Sequence, residues 1–126
     1  LQGGARGVAG SLGAFQSDIE RRGLGGRVLT LVWSEFGRRA QQNDSNGTDH
    51  GAAGMMMVLG GAVRGGLYGT AASLTPGHPS LENDSGDVRH EFDFRSVYAR
   101  VLDQWLGVDS ASILNGDFRS GAPAIF

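Results

Sequence analysis

Apolar positions near the start of the chain recur at helical spacing. Val8, Leu12, Phe15 and Ile19 fall on one stripe, with Gln16, Ser17, Asp18, Glu20 and Arg21 on the other faces. The pattern predicts an amphipathic helix from about Ala5 to Arg22. Gly7, Gly10 and Gly13 each cost it about 1 kcal/mol against alanine, so its early turns should be weak. Arg21 and Arg22 suit the negative end of a helix, and Gly23 is the expected stop. The pattern then changes. Val28-Leu29-Thr30-Leu31-Val32-Trp33 is an apolar, β-branched run too short for a stable helix. It predicts a strand buried on both faces, of the kind found in parallel sheets. A second run, Met55 to Leu59, is closed by Gly60 and Gly61 and predicts a neighbouring buried strand in which methionine fills the core.

Between the two runs lies a polar loop, and after them Val63 to Tyr68 reads as a glycine-broken edge strand or turn. From Ser73 to His90 no periodicity survives. A loop that long within a domain is usually functional or mobile. A second helix should begin after Asp93, a good N-cap, and end at Gly107. Its buried stripe would be Val97, Val101, Leu102, Trp105 and Leu106, with Ile113, Leu114 and Phe118 of the tail covering part of the core. The order helix, strand, loop, strand, helix suits an α/β layered architecture. So few strands leave hydrophobic sheet edges open. The partners that close them are expected from an upstream region of the same protein or from another copy of the chain. Without them the chain should be an oligomer or poorly folded.

Composition narrows this picture. A chain of 126 residues can bury one core but not comfortably two, and 40% hydrophobic with 19% charged residues is ordinary for a globular domain. Residues 1–126 therefore read as one partial domain, and the absence of an initiator methionine before Leu1 suggests a piece of a longer protein. The formal charge of −2 gives no field to attract nucleic acid, and no basic, aromatic-interleaved patch appears. There is no cysteine, hence no disulfide and no thiolate metal site. No run approaches the length of a membrane span, and no basic-then-apolar signal opens the chain. The 22 glycines follow no period, which excludes collagen and simple repeats. Those at Gly23-Leu24-Gly25-Gly26 follow a helix and precede a strand, the reverse of the dinucleotide fingerprint.

The dense chemical cluster sits beyond the first strand. Ser34-Glu35-Phe36-Gly37-Arg38 follows it directly, and Thr48-Asp49-His50-Gly51 comes after the polar loop. Ligands in open α/β sheets bind at the carboxyl ends of strands. Asp49 and His50 are residue types that ligate zinc or similar divalent ions, and Glu35 could add a third oxygen. The plainer alternative makes Asp49 a turn cap and His50 a surface histidine. Glu35 and Arg38 could form an exposed ion pair worth under about 1 kcal/mol. Arg38 and Arg39 could instead meet a phosphate or sulfate. Ser34 has no histidine nearby in sequence to activate it, so it is not a nucleophile candidate. His78 and His90 read as solvent-exposed. Three Asn-x-Ser/Thr triplets, at Asn43, Asn46 and Asn83, carry little weight because polar loops generate them by chance.

The succession SEFGRR, NGTDHG, VLGGAVRGGLYG and DFRSVYARVLDQWLG resembles the C-terminal part of a bacterial domain-of-unknown-function family, number fifteen-oh-one. The likeness runs from about Gly13 to Phe118. That family is grouped with the alkaline phosphatase and sulfatase superfamily. The resemblance implies the C-terminal portion of an alkaline phosphatase-like layered α/β sheet with flanking helices. It also implies export to the periplasm or beyond, and hydrolysis of phosphate or sulfate esters with divalent metals such as zinc, manganese or calcium. On that resemblance Glu35 takes the place of a ligand aspartate and His50 that of a later ligand histidine, with Asp49 as a further ligand or the acceptor that orients the imidazole. Asp49-His50-Gly51 also copies the letters of an earlier ligand motif, but follows a polar loop rather than a strand. Phe36 stands where the superfamily has a ligand histidine, and no nucleophile falls within the chain. Besides the missing strands, the partner implied is a small anionic ester. The competing reading is a non-catalytic relative that keeps the fold for binding, structure or self-assembly.

Overall fold

A computed structural model describes residues 2–83 and 86–126. The chain is mixed α/β and divides into two compact units. One takes the residues up to Val32 together with Met56–Val63, the other Trp33–Met55 together with Arg64–Phe126.

In the first unit, helix α1 runs from Gln2 to Arg21. It stops as expected at Gly23, whose φ of 70° few other residues adopt readily. The Leu24 amide donates to the Ile19 carbonyl at 3.0 Å and the Gly23 amide to the Glu20 carbonyl at 2.9 Å, a Schellman closure. Only Ile19 of the apolar stripe is buried, while Val8 and Phe15 stay about half exposed. Strands β1 (Thr30–Val32) and β4 (Met57–Leu59) pair with each other, as the two apolar runs suggested. They are shorter than those runs and antiparallel, with Leu31 opposite Val58. They are also half-buried or exposed rather than covered on both faces. The reason lies in the connection. A parallel pair needs a crossover, usually a helix, and the residues between β1 and β4 form a hairpin instead.

That hairpin opens the second unit. The expected polar loop is in fact strand β2 (Gly37–Gln42) paired antiparallel with β3 (Thr48–Gly51). Its residues have low strand propensity, so the turn carries the information. Asn46 adopts a left-handed φ of 59° just before Gly47, and such dipeptides favour hairpin turns. Asn43 brackets the turn. Its Oδ1 accepts from the amides of Ser45 (3.1 Å) and Gly47 (3.0 Å), and its own amide donates to the Gly47 carbonyl (2.9 Å). At the other end the backbone crosses itself, with Ala53 lying so close to Gly37 that a Cβ there would meet the Ala53 carbonyl oxygen at 1.5 Å.

The described residues of the long loop form turns of their own. Leu81 bridges Val88, and the Glu82 amide donates to the Asp87 carbonyl at 2.8 Å. The loop also reaches β2, where the Ala40 amide donates to the Gly86 carbonyl at 3.0 Å. The last two positions of the Asn83 triplet, 84 and 85, lie outside the described residues. Val63 to Tyr68 forms no strand, and Leu67 is fully exposed.

Helix α2 (Phe94–Arg100) is capped by Asp93, whose side chain accepts from the Arg95 amide at 2.9 Å. It passes into a wider π-type turn over Val101–Trp105, closed by the Leu106 amide on the Val101 carbonyl at 3.0 Å. The extra residue in that turn rotates the stripe out of phase. Leu106, expected inside, is therefore 57% exposed, while Val97 is buried as expected. Helix α3 (Ser110–Leu114) follows, capped by Asp109. Its Ile113 is exposed, and the buried tail residue is Ile125 instead. The Ile125 carbonyl accepts from the Arg64 amide at 2.9 Å, and the Ala124 carbonyl accepts from the Tyr68 hydroxyl at 3.2 Å. Among the described residues, no helix is long and apolar enough to cross a membrane.

Candidate functional site

The β2–β3 hairpin gathers the chemistry. Register places Arg38 directly across from His50. Phe36 lies two residues before Arg38, and its ring stacks on the imidazole of His50 with centroids 3.6 Å apart and planes 13° apart. The Arg38 guanidinium lies 5.0 Å from the same ring's centroid, within cation–π range. Its Nη1 donates to the Thr48 carbonyl at 2.7 Å, tying it to the opposite strand. The sequence alternative of a Glu35–Arg38 ion pair is not among the pairs of the described residues.

Arg39 points its charge elsewhere. Its Nε donates to Asp87 at 3.2 Å, and Asp87 also accepts from Asn83 Nδ2 at 2.7 Å and from the backbone of Ala52. Asp87 is buried, and these partners, Asn83 foremost, hold its carboxyl below the usual range despite the opposing effect of burial. Asp49 is held by Asn43, whose Nδ2 donates to it at 2.9 Å. Arg38, Arg39, Asn43, Thr48, Asp49 and His50 together line an open cleft of about 520 Å³.

The structure thus brings Asp49 and His50 into one cleft with the two arginines. Glu35 is exposed and does not line it. Among the described residues, no group of three or more histidine, aspartate or glutamate side chains is placed to hold a metal ion. Glu35, Asp49 and His50 as placed do not by themselves fit a divalent ion. The cleft's lining combines guanidinium, imidazole and amide donors with the carboxylate of Asp49. His78 and His90 are exposed, as expected, and His78 Nδ1 lies 2.8 Å from Ser80 Oγ.

The roles of Asn43, Thr48 and Asp87 in holding the site escaped the sequence reading. Asn46-Gly47 was the available signal for the first two, because a turn there implies paired strands on either side. Nothing local connects Asp87 to Arg39 across 48 positions.

Fold and cleft together define a small mixed α/β chain with a basic hairpin cleft. It belongs to the family described as protein of unknown function (DUF1501), whose model matches residues 1–115. No curated protein matches the chain, and no solved structure matches it either.

Proposed function

We propose that this chain is the C-terminal part of an alkaline phosphatase/sulfatase-like domain whose complete form hydrolyses phosphate or sulfate esters. The layered sheet of that domain would be completed by strands from elsewhere in the protein, and the nucleophile and further metal ligands would come from there too. The contribution of the present residues is to bind the ester. One observation carries this reading: Arg38, Arg39 and His50, from two of the four motifs on which the family resemblance rests, line a single cleft of about 520 Å³. Within the cleft Arg38 is held by Thr48 with most of its donor edge left over, since a guanidinium carries five N–H groups.

A second reading is favoured by the placement of Glu35 outside the cleft that Asp49 and His50 line, so that among the described residues no group of three candidate ligands gathers there. On that reading the protein is a non-catalytic relative that keeps the cleft for binding. The deciding measurement is turnover of aryl phosphates and aryl sulfates by the full-length protein supplied with zinc, manganese or calcium. The hydrolase reading expects turnover that falls sharply in Arg38→Ala and His50→Ala. Absence of turnover with every ester and metal overturns it in favour of the binding reading.

A further inference from the structure

We propose that the folded chain deamidates selectively at Asn115-Gly116, at the end of α3, while the hairpin tip shields its other Asn-Gly dipeptide, Asn46-Gly47. Asparagine before glycine is suited to this reaction because glycine has no Cβ to hinder its own amide nitrogen. That nitrogen loses its proton to solvent base and attacks the asparagine Cγ. The new N–Cγ bond forms, the Cγ–NH2 bond breaks, and ammonia leaves with a proton from water. Water then opens the succinimide at either carbonyl, giving aspartate or isoaspartate. Both asparagines are exposed, so water reaches both. What separates them is how firmly the reacting groups are held.

At the hairpin tip both groups are held. The Gly47 amide, the nucleophile, donates to Asn43 Oδ1 at 3.0 Å. The Asn46 carboxamide, the electrophile, accepts at Oδ1 from Gln42 Nε2 at 3.2 Å. Backbone bonds close the turn as well, from the Asn46 amide to the Asn43 carbonyl at 3.1 Å and from the Asn43 amide to the Gly47 carbonyl at 2.9 Å. Attack requires Gly47 to leave Asn43 while the carboxamide leaves Gln42, which amounts to opening the tip.

At the end of α3 only the nucleophile is held, and through a shared acceptor. The Gly116 amide donates to the Ala111 carbonyl at 3.1 Å, and the Asn115 amide uses the same carbonyl. No hydrogen bond of the described residues reaches the Asn115 carboxamide. The helix is five residues long, and helices fray from their last turn. Fraying here releases the Gly116 amide beside a carboxamide that is already free to turn. The product weakens the same end. A carboxylate at position 115 stands close in sequence to Asp117 and at the carboxyl end of a helix, where negative charge is disfavoured. Isoaspartate also inserts its Cβ into the main chain, which takes the Gly116 amide out of register with Ala111.

The test incubates the full-length protein at mildly alkaline pH and follows both sites by peptide mapping, with the same chain in concentrated urea as reference. In urea the two dipeptides should convert at similar rates. In the folded protein Asn115 should convert about tenfold or more faster than Asn46, the scale of the one or two further hydrogen bonds at the tip. Hydrogen exchange should show the Gly47 amide protected over the Gly116 amide by a similar factor. Gln42→Ala frees the Asn46 carboxamide and leaves the backbone bonds of the turn, and Asn43→Ala frees the Gly47 amide. Each should speed conversion at Asn46 and leave Asn115 unchanged, a contrast that global unfolding cannot produce. The proposal falls if Asn46 converts as fast as Asn115 in the folded protein, or if neither converts while the urea reference does. It falls equally if neither variant changes the rate at Asn46.

Discussion

Replacing Gly37 with alanine puts a methyl group where the chain crosses itself. Its Cβ would lie 1.5 Å from the Ala53 carbonyl oxygen, 2.2 Å from the carbonyl carbon and 3.0 Å from the Gly54 amide nitrogen. An acceptable carbon–oxygen approach is about 3.3 Å, so the two backbone segments must separate by roughly 1.8 Å. Both sides are main chain, and no rotamer change can relieve the contact. Overpacking in general costs about 1–3 kcal/mol, and a backbone clash of this depth belongs at or above the top of that range. Around 3 kcal/mol is more than a hundredfold in the folding equilibrium. Gly54 provides the control, because its nearest neighbour, Gly37 Cα, would be at an ordinary 3.5 Å from an added Cβ. Urea titrations of Gly37→Ala and Gly54→Ala at equal m-value measure the difference directly. Limited proteolysis should place the damage in the β2–β3 hairpin. Equal midpoints for the two variants would refute the crossing as described.

Two further outcomes follow from features away from the cleft. In α1 a Cβ at Gly7, Gly10 or Gly13 would meet nothing within 4 Å, so alanine at each should stabilise the helix by about 0.5–1 kcal/mol. Thermal melts followed by circular dichroism read this, and a destabilised triple variant would contradict the open surroundings of that face. At the other end of the chain, hydrogen bonds from Ser112 and then Arg119 lower the Asp109 carboxyl from 3.8 to about 2. A carboxyl depressed in the folded state stabilises fully above its unfolded value. That contribution should therefore fade as pH falls from about 3.8 towards 2 and be absent in Asp109→Asn, as acid unfolding monitored by carboxyl chemical shifts would record.

How much could be read from residues alone differed by element. The stop of α1 at Gly23, the cap at Asp93 and the pairing of the two apolar runs were legible, because each rests on local conformational preference or on apolar pattern. The hairpin was not, since polarity hid it. Gly-Arg-Arg-Ala-Gln-Gln carries no apolar alternation, and its pairing is set by turn chemistry at Asn46-Gly47 and by the crossing at Gly37. The phase of the second helix failed at Leu106 because a π-type turn looks identical to an α-turn in a hydrophobic pattern. For the cleft, Arg38, Asp49 and His50 were candidates by their nearness in sequence and line it together, while Glu35, a candidate by its place at the strand's end, lies outside the lining. Compensation of Arg39 by Asp87 is a long-range contact that spacing cannot reveal.

Asp87 gathers three stretches of chain that are far apart in sequence, through Arg39 on β2, Ala52 after β3 and Asn83 in its own loop. A carboxylate shared in this way couples local opening events that would otherwise be independent. In hydrogen exchange, the amides of Ala40, Ala52 and Glu82 should open as one cooperative unit with a common free energy. Changing the length of the segment between Ser80 and Arg89 would then retune the cleft from outside, by loosening the ion pair that neutralises the second arginine of its lining.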